Sequence, residues 1–145
     1  MTTVNQLLQA KGFDVWSINP DATTFEAIKL MADMNVGSLL VIDNSQIVGI
    51  VSERDYARKI ALYDRSSKTT PVKEIMTSPV VTVRPNQNLQ ECMALMTDKR
   101  IRHLPVVDEN GELMGIISIG DVVKAVISEQ EVIINHLQDY IAGVS

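Results

Sequence analysis

Residues 49–55 read GIVSERD and residues 115–121 read GIISIGD. In each stretch an apolar run passes into a serine, and an aspartate follows three positions later. Ser52 with Asp55, and Ser118 with Asp121, have the form of a capping box. The hydroxyl sits at the N-cap, the carboxylate sits at the third helical position, and each satisfies a backbone donor beside the other. Both stretches therefore mark a strand that ends where a helix begins.

The two stretches belong to a longer repeat. Residues 17–43, SINPDATTFEAIKLMADMNVGSLLVID, align at constant offset with residues 82–108, TVRPNQNLQECMALMTDKRIRHLPVVD, and one extra residue around Gly111 brings the two heptapeptides into step. Pro20/Pro85, Glu26/Glu91, Met31/Met96, Asp33/Asp98, Leu39/Leu104, Val41/Val106 and Asp43/Asp108 are identical. Each copy begins with a short strand (Val15–Ile18; Val80–Val83) that stops at a proline, which cannot donate to a ladder. An amphipathic helix follows, with Phe25, Ile28, Met31 and Ala32, or Leu89, Cys92, Met93 and Met96, expected to face inward. Two apolar strands come next, Leu39–Ile42 with Ile47–Val51 and Leu104–Val107 with Leu113–Ile117, each pair joined by a short polar turn. A second helix starts near Ser52 or Ser118. The expected fold is α+β, a β-α-β-β-α repeat made twice. A unit of about sixty residues is marginal alone, so two copies covering each other predict one body with internal pseudo-two-fold symmetry.

Three segments are expected: residues 1–65 as a first repeat with a leading helix, 66–128 as a linker and second repeat, and 129–145 as a C-terminal helix. The stretch SSKTTPVK (Ser66–Lys73) reads as the linker, with Pro71 opening a short turn or helix. In the tail, Ile133, Leu137 and Ile141 recur at fourfold spacing, which suits a helix packing on the body or on a partner.

Composition narrows the function. Apolar residues make up 46% of the 145 and charged residues 21%, so the chain is globular. Thirteen basic against eighteen acidic residues leave a net charge of −5, and no basic stripe of the kind nucleic-acid binders carry is visible. A single cysteine, Cys92, excludes an internal disulfide and lies on an apolar helical face, as a core thiol does. The N-terminus lacks the pattern of a signal peptide, and no apolar run is long enough for a bilayer. These features point to a cytoplasmic protein with neither nucleic acid nor membrane as partner.

The same residues that cap a helix can hold a ligand. Amides at a helix N-terminus favour anions and polar groups, and a carboxylate in the first turn can accept from the vicinal hydroxyls of a ribose. The doubled βαββα pattern, each copy closing on glycine, two apolar residues, serine and an aspartate three further on, resembles a pair of cystathionine-β-synthase (CBS) domains. SERDYARK and IRHLPVVD are similar to stretches of stand-alone CBS-pair proteins. The resemblance covers about residues 11–128. It implies repeats stacked sheet to sheet with adenosine-binding clefts between them, where Asp55 and Asp121 anchor ribose with Ser52 and Ser118 beside them. Ile50 and Ile116 belong to the apolar strands leading into the motif. The base is implied to rest against Met76 and Val81 in the Asp55 cleft, and against Lys11 and Trp16 in the Asp121 cleft. Val36, Gly37, Ile101 and Arg102 would line the middle.

Phosphates need cations. Relatives in the nucleotide-sensing subunit of AMP-activated kinase carry a basic pair just before the Leu-Pro-Val strand, a place held here by Arg102 and His103. The first repeat has Gly37 and Ser38 instead. Arg54 inside the first motif is replaced by Gly120 in the second, so the two clefts are expected to differ. Other readings stand beside these: His103 as a satisfied histidine between strands, Arg102 as a solvated charge, Trp16 as core.

No catalytic constellation emerges. His103 and His136 are the only histidines, and with one cysteine they give no zinc spacing. Gly115 and Gly120 have the glycine spacing of a phosphate-binding loop, but Asp121 follows where that loop needs lysine. The expected protein is a non-enzymatic regulatory module without catalytic cofactor or metal. It binds an adenosine nucleotide, AMP foremost with ADP and ATP, forms a homodimer and signals to another protein. The alternatives are a constitutive scaffold without nucleotide, or a binder of NAD(H) or S-adenosylmethionine.

Overall fold

The structure, a computed structural model, describes residues 2–143. Its elements are α1 (Val4–Lys11), β1 (Ser17–Ile18), α2 (Thr24–Met34), β2 (Ser38–Asp43), β3 (Gln46–Ser52), α3 (Glu53–Tyr56), α4 (Leu89–Lys99), β4 (His103–Val107), β5 (Leu113–Ser118) and α5 (Ile119–Ile141). The fold is α+β, with sheets β1-β2-β3 and β4-β5. All five helices begin with a capping box, at Thr3/Gln6, Thr23/Glu26, Ser52/Asp55, Asn88/Glu91 and Ser118/Asp121. The repeat is kept in detail. α2 and α4 both end on a left-handed residue, Asn35 and Arg100, each at φ 55°, and both hairpins carry a register shift at the same place, after Val41 and after Val106. The Asn44-Ser45 turn has positive φ at both central residues, the geometry that matches strand twist in a two-residue hairpin.

The chain divides into two compact units. One is the segment up to Asp14 together with the chain from Val81 onward; the other is Val15–Val80. In the first, α1 places Val4, Leu7 and Leu8 into a core with Leu89, Cys92, Met96, Leu104, Val106, Ile117 and Val122. In the second, Ala27, Met31, Leu39, Val41 and Val51 pack with Ile60, Val72 and Ile75. The former linker is thus part of a core: Pro71 precedes a 3₁₀ turn, Val72–Glu74, and Val72 is fully buried. The two leading segments dock alike. Val72 and Lys73 donate their amides to Ala22 and Pro20, and Val4 and Asn5 donate theirs to the equivalent Gln87 and Pro85.

Four expectations are corrected. The inward face of α2 is Thr24, Ala27 and Met31, whereas Phe25 is 45% exposed and Ala32 is exposed. The amide and hydroxyl of Thr24 both donate to the Thr70 carbonyl, which fixes the rotation of the helix, and Lys68 lies over the Phe25 ring. On α4 the buried residues are Leu89, Cys92 and Met96, with Met93 left exposed. The strand expected at Val80–Val83 shrinks to one parallel bridge, Val83 with Val106, because Pro79 and Pro85 flank it and cannot donate. The tail is no separate helix either. α5 runs unbroken from Ile119 to Ile141, and Val144 and Ser145 lie outside the described residues.

Candidate functional site

Each unit carries one aspartate corner, built where an apolar strand meets a helix. In the Val15–Val80 unit, β3 ends on Ser52, whose amide and hydroxyl donate to Asp55 Oδ2 at 3.0 and 3.1 Å. The Asp55 amide returns a bond to Ser52 Oγ at 3.2 Å. Oδ1 is engaged as well, by Thr77 Oγ1 at 3.3 Å and by Lys59 Nζ at 3.1 Å. Lys59 lies one turn further on, in the π-helical turn Ala57–Ala61 that continues α3, and donates to the Ile75 carbonyl too. With donors on both oxygens, the Asp55 side chain is 13% exposed.

The other corner starts identically and finishes differently. Ser118 at the end of β5 donates its amide to Asp121 Oδ2 at 2.9 Å, and Asp121 donates its own to Ser118 Oγ at 3.1 Å. The cation comes from α1: Lys11 Nζ reaches the same Oδ2 at 2.6 Å and the Ile116 carbonyl at 2.9 Å. Burial alone pushes the Asp121 carboxyl up, but the Lys11 ammonium and the Ser118 donors outweigh it and hold the group below the usual carboxylate range. Its side chain is 26% exposed, twice the value at Asp55.

The neighbouring residues fall into place by unit. Gly37 and Arg102 hold equivalent positions, their carbonyls accepting the amides of Glu53 and Ile119, the first residues of α3 and α5. His103 pairs across β4-β5 with Ser118. Val36 and Met76 pack on the core of the Asp55 unit, and Val81 and Ile101 on the core of the Asp121 unit. Ile50 bridges Thr77 through both backbone bonds, and Ile116 offers its carbonyl to Lys11. Arg54 and Gly120 are exposed at the second helical position of α3 and α5. Trp16 is 41% exposed, so it is no core residue, and its carbonyl accepts from Leu40. Lys11 shares a unit with Asp121 and Met76 shares one with Asp55, whereas Trp16 belongs with Asp55 and Val81 with Asp121.

Sequence reading missed Lys59 and Thr77. Lys59 was within reach of it, because a carboxylate and a lysine four apart on a helix are neighbours. Thr77 left no local signal. Among the described residues, no three His, Cys, Asp or Glu side chains gather to hold a metal, and no helix is long and apolar enough to cross a membrane.

Two β-α-β-β-α copies, each presenting a carboxylate over the first turn of a helix, make up a tandem repeat module. The CBS domain model matches residues 10–62 and 72–128, and the chain belongs to the CBS domain family. A mitochondrial CBS domain-containing protein of Arabidopsis thaliana is 41% identical over 152 residues, covering 98% of this chain and 73% of its own length. A protein with CBS domains from Burkholderia ambifaria is similar in structure at a TM-score of 0.85 and 55% identity, with 89% and 96% of the two chains covered. A hexameric CBS-CP12 protein from bloom-forming cyanobacteria matches at a TM-score of 0.76 and 31% identity, over 84% and 70% of the chains. Tandem CBS proteins of this stand-alone kind are in general regulatory, non-catalytic modules that bind adenosine-containing ligands and assemble as oligomers.

Proposed function

We propose that this chain is a regulatory module that binds an adenosine nucleotide of the AMP, ADP and ATP class and passes its occupancy to a partner protein. The observation that carries the reading is the pair of aspartate corners. Each carboxylate is held at a helix N-terminus by a serine amide, at the end of an apolar strand. A ribose diol can donate to such a carboxylate, helix amides favour the negative charge of phosphate, and the strand offers apolar surface for a base. Ser52 and Ser118 orient the aspartates, and Arg102 and His103 adjoin the Asp121 corner, the first through its carbonyl on the Ile119 amide and the second by pairing with Ser118. Signalling requires that ligand bind one conformation better than another, since equal affinity shifts nothing.

The module also forms a homodimer in this reading, with α5 as one contact surface. Val123, Ile127, Ile134, Leu137 and Ile141 are all exposed on it and fall on the four-and-three positions of a helix–helix seam, with the polar Gln130 at the position between Ile127 and Ile134. Sedimentation should report a dimer, and Ile134→Glu with Leu137→Glu should shift it toward monomer.

The deciding experiment is a thermal-shift titration of ligand-stripped protein with AMP, beside adenosine and phosphate. Ligand at a hundred times its dissociation constant should stabilise the fold by about 2.7 kcal/mol, with Asp55→Ala and Asp121→Ala each removing part of the response. If AMP, ADP, ATP, NAD(H) and S-adenosylmethionine all leave the midpoint unmoved, the chain is a scaffold and not a sensor.

A further inference from the structure

We infer that Lys11 is a specificity-determining residue of the Asp121 corner, selecting a phosphorylated nucleoside over the same nucleoside without phosphate. The inference rests on the nucleotide reading above and concerns what that site discriminates. Asp121 Oδ2 already accepts two hydrogen bonds, from the Ser118 amide and from Lys11 Nζ, and a carboxylate oxygen has two lone pairs to offer. A diol that grips both carboxylate oxygens must therefore take the place of Lys11 on Oδ2. The Lys11 and Asp121 side chains are only 30% and 26% exposed, so water repays little of the charge-assisted bond that the ammonium gives up.

A phosphate on the same ligand repays it. The flexible stem of lysine lets its ammonium leave one anion for another nearby, so a nucleotide exchanges one ion pair for a second. A nucleoside only breaks the first. The corner at Asp55 lacks this arrangement. There the neutral Thr77 takes the place of Lys11, its amide on the Ile50 carbonyl and its hydroxyl on Asp55. The cation on Asp55 is Lys59 from the same helix, tethered also to the Ile75 carbonyl. The Asp121 corner thus draws its cation from a residue 110 positions away in the chain, where the Asp55 corner draws one from a single turn further along.

The test is calorimetric titration of AMP and of adenosine into the full chain carrying Asp55→Asn, so that the Asp121 corner alone is read. Lys11→Met in that background should weaken AMP by about ten- to a hundredfold, the worth of one charged hydrogen bond. Adenosine should bind no more weakly than before, and Lys11→Arg should retain most of the preference. Lys11→Gln, which keeps a donor without charge, must also lower the AMP-to-adenosine ratio; it covers the case in which the methionine variant does not fold. An unchanged ratio in the folded uncharged variant overturns the role of Lys11 while leaving nucleotide binding intact. If the Asp55→Asn background binds neither compound, the nucleotide reading of this corner fails, and the inference with it.

Discussion

Asp55 and Asp121 hold the same place in the repeat and the same capping box, yet the molecule completes their surroundings from different directions. Asp55 is closed in by its own helix, through Lys59, and by Thr77 from the segment that follows. Asp121 is met by Lys11, from a helix at the far end of the sequence. One threonine, through its amide and its hydroxyl, serves the Ile50 carbonyl and Asp55. A single ammonium serves the equivalent Ile116 carbonyl and Asp121. The backbone frame is shared, and the chemistry offered to a ligand is not. A duplicated motif thus specifies position, while the segment docked beside it specifies charge.

The docking itself can be broken most severely at Leu8. It is fully buried, and Leu8→Ala should cost about 2–5 kcal/mol in urea unfolding. Met76→Ala should cost less, since Met76 is half-buried and its flexible chain leaves neighbours room to adjust. Cys92 reports on the Asp121 unit alone. Burial, helped by the charge of Glu91, pushes its thiol up to about 11, so it stays protonated and unreactive near pH 8 until that unit opens. Leu8→Ala should speed its alkylation and Met76→Ala should not; equal acceleration by both would mean that the units do not open separately.

The repeated glycines sharpen the same contrast. A Cβ on Gly115 would meet Leu8 Cδ2 at 2.9 Å, and one on Gly49 would meet Met76 Sδ at 2.5 Å. At Gly49 the approach continues down the methionine stem, with Cγ at 2.9 Å and Cβ at 3.2 Å, whereas at Gly115 it is to the branched tip of Leu8. Gly49→Val should therefore destabilise by about 1–3 kcal/mol, and Gly115→Val by less. The reverse order in thermal unfolding would show that Met76 gives way more readily than Leu8.

Smaller effects separate the donors. Thr77→Val should cost about 0.5–1.5 kcal/mol, the net value of one hydrogen bond. The pH dependence of thermal unfolding should distinguish Lys11. The Asp121 carboxyl is depressed in the folded state, so its contribution is full above the unfolded carboxylate range and is lost as pH falls through the lower folded value. In Lys11→Met burial still raises the group while its main counterweight is gone, so the loss should begin at higher pH. Identical acid limbs for the two proteins would refute the coupling.

Sequence alone determined the local frame: the β-α-β-β-α order, the hairpins, the capping boxes at Ser52 and Ser118, and the candidate aspartates. Those features depend on residues within a few positions of one another, and periodicity and capping chemistry record them directly. Even there the phase of α2 escaped, because the bonds from Thr24 to Thr70 that set it join residues 46 apart. Only the tertiary structure decided that the leading helix packs with the second repeat and the linker with the first, and so which cation each carboxylate keeps. Such docking depends on which apolar faces remain to be covered once each repeat has folded, a balance of burial over the whole unit that no short stretch of chain encodes.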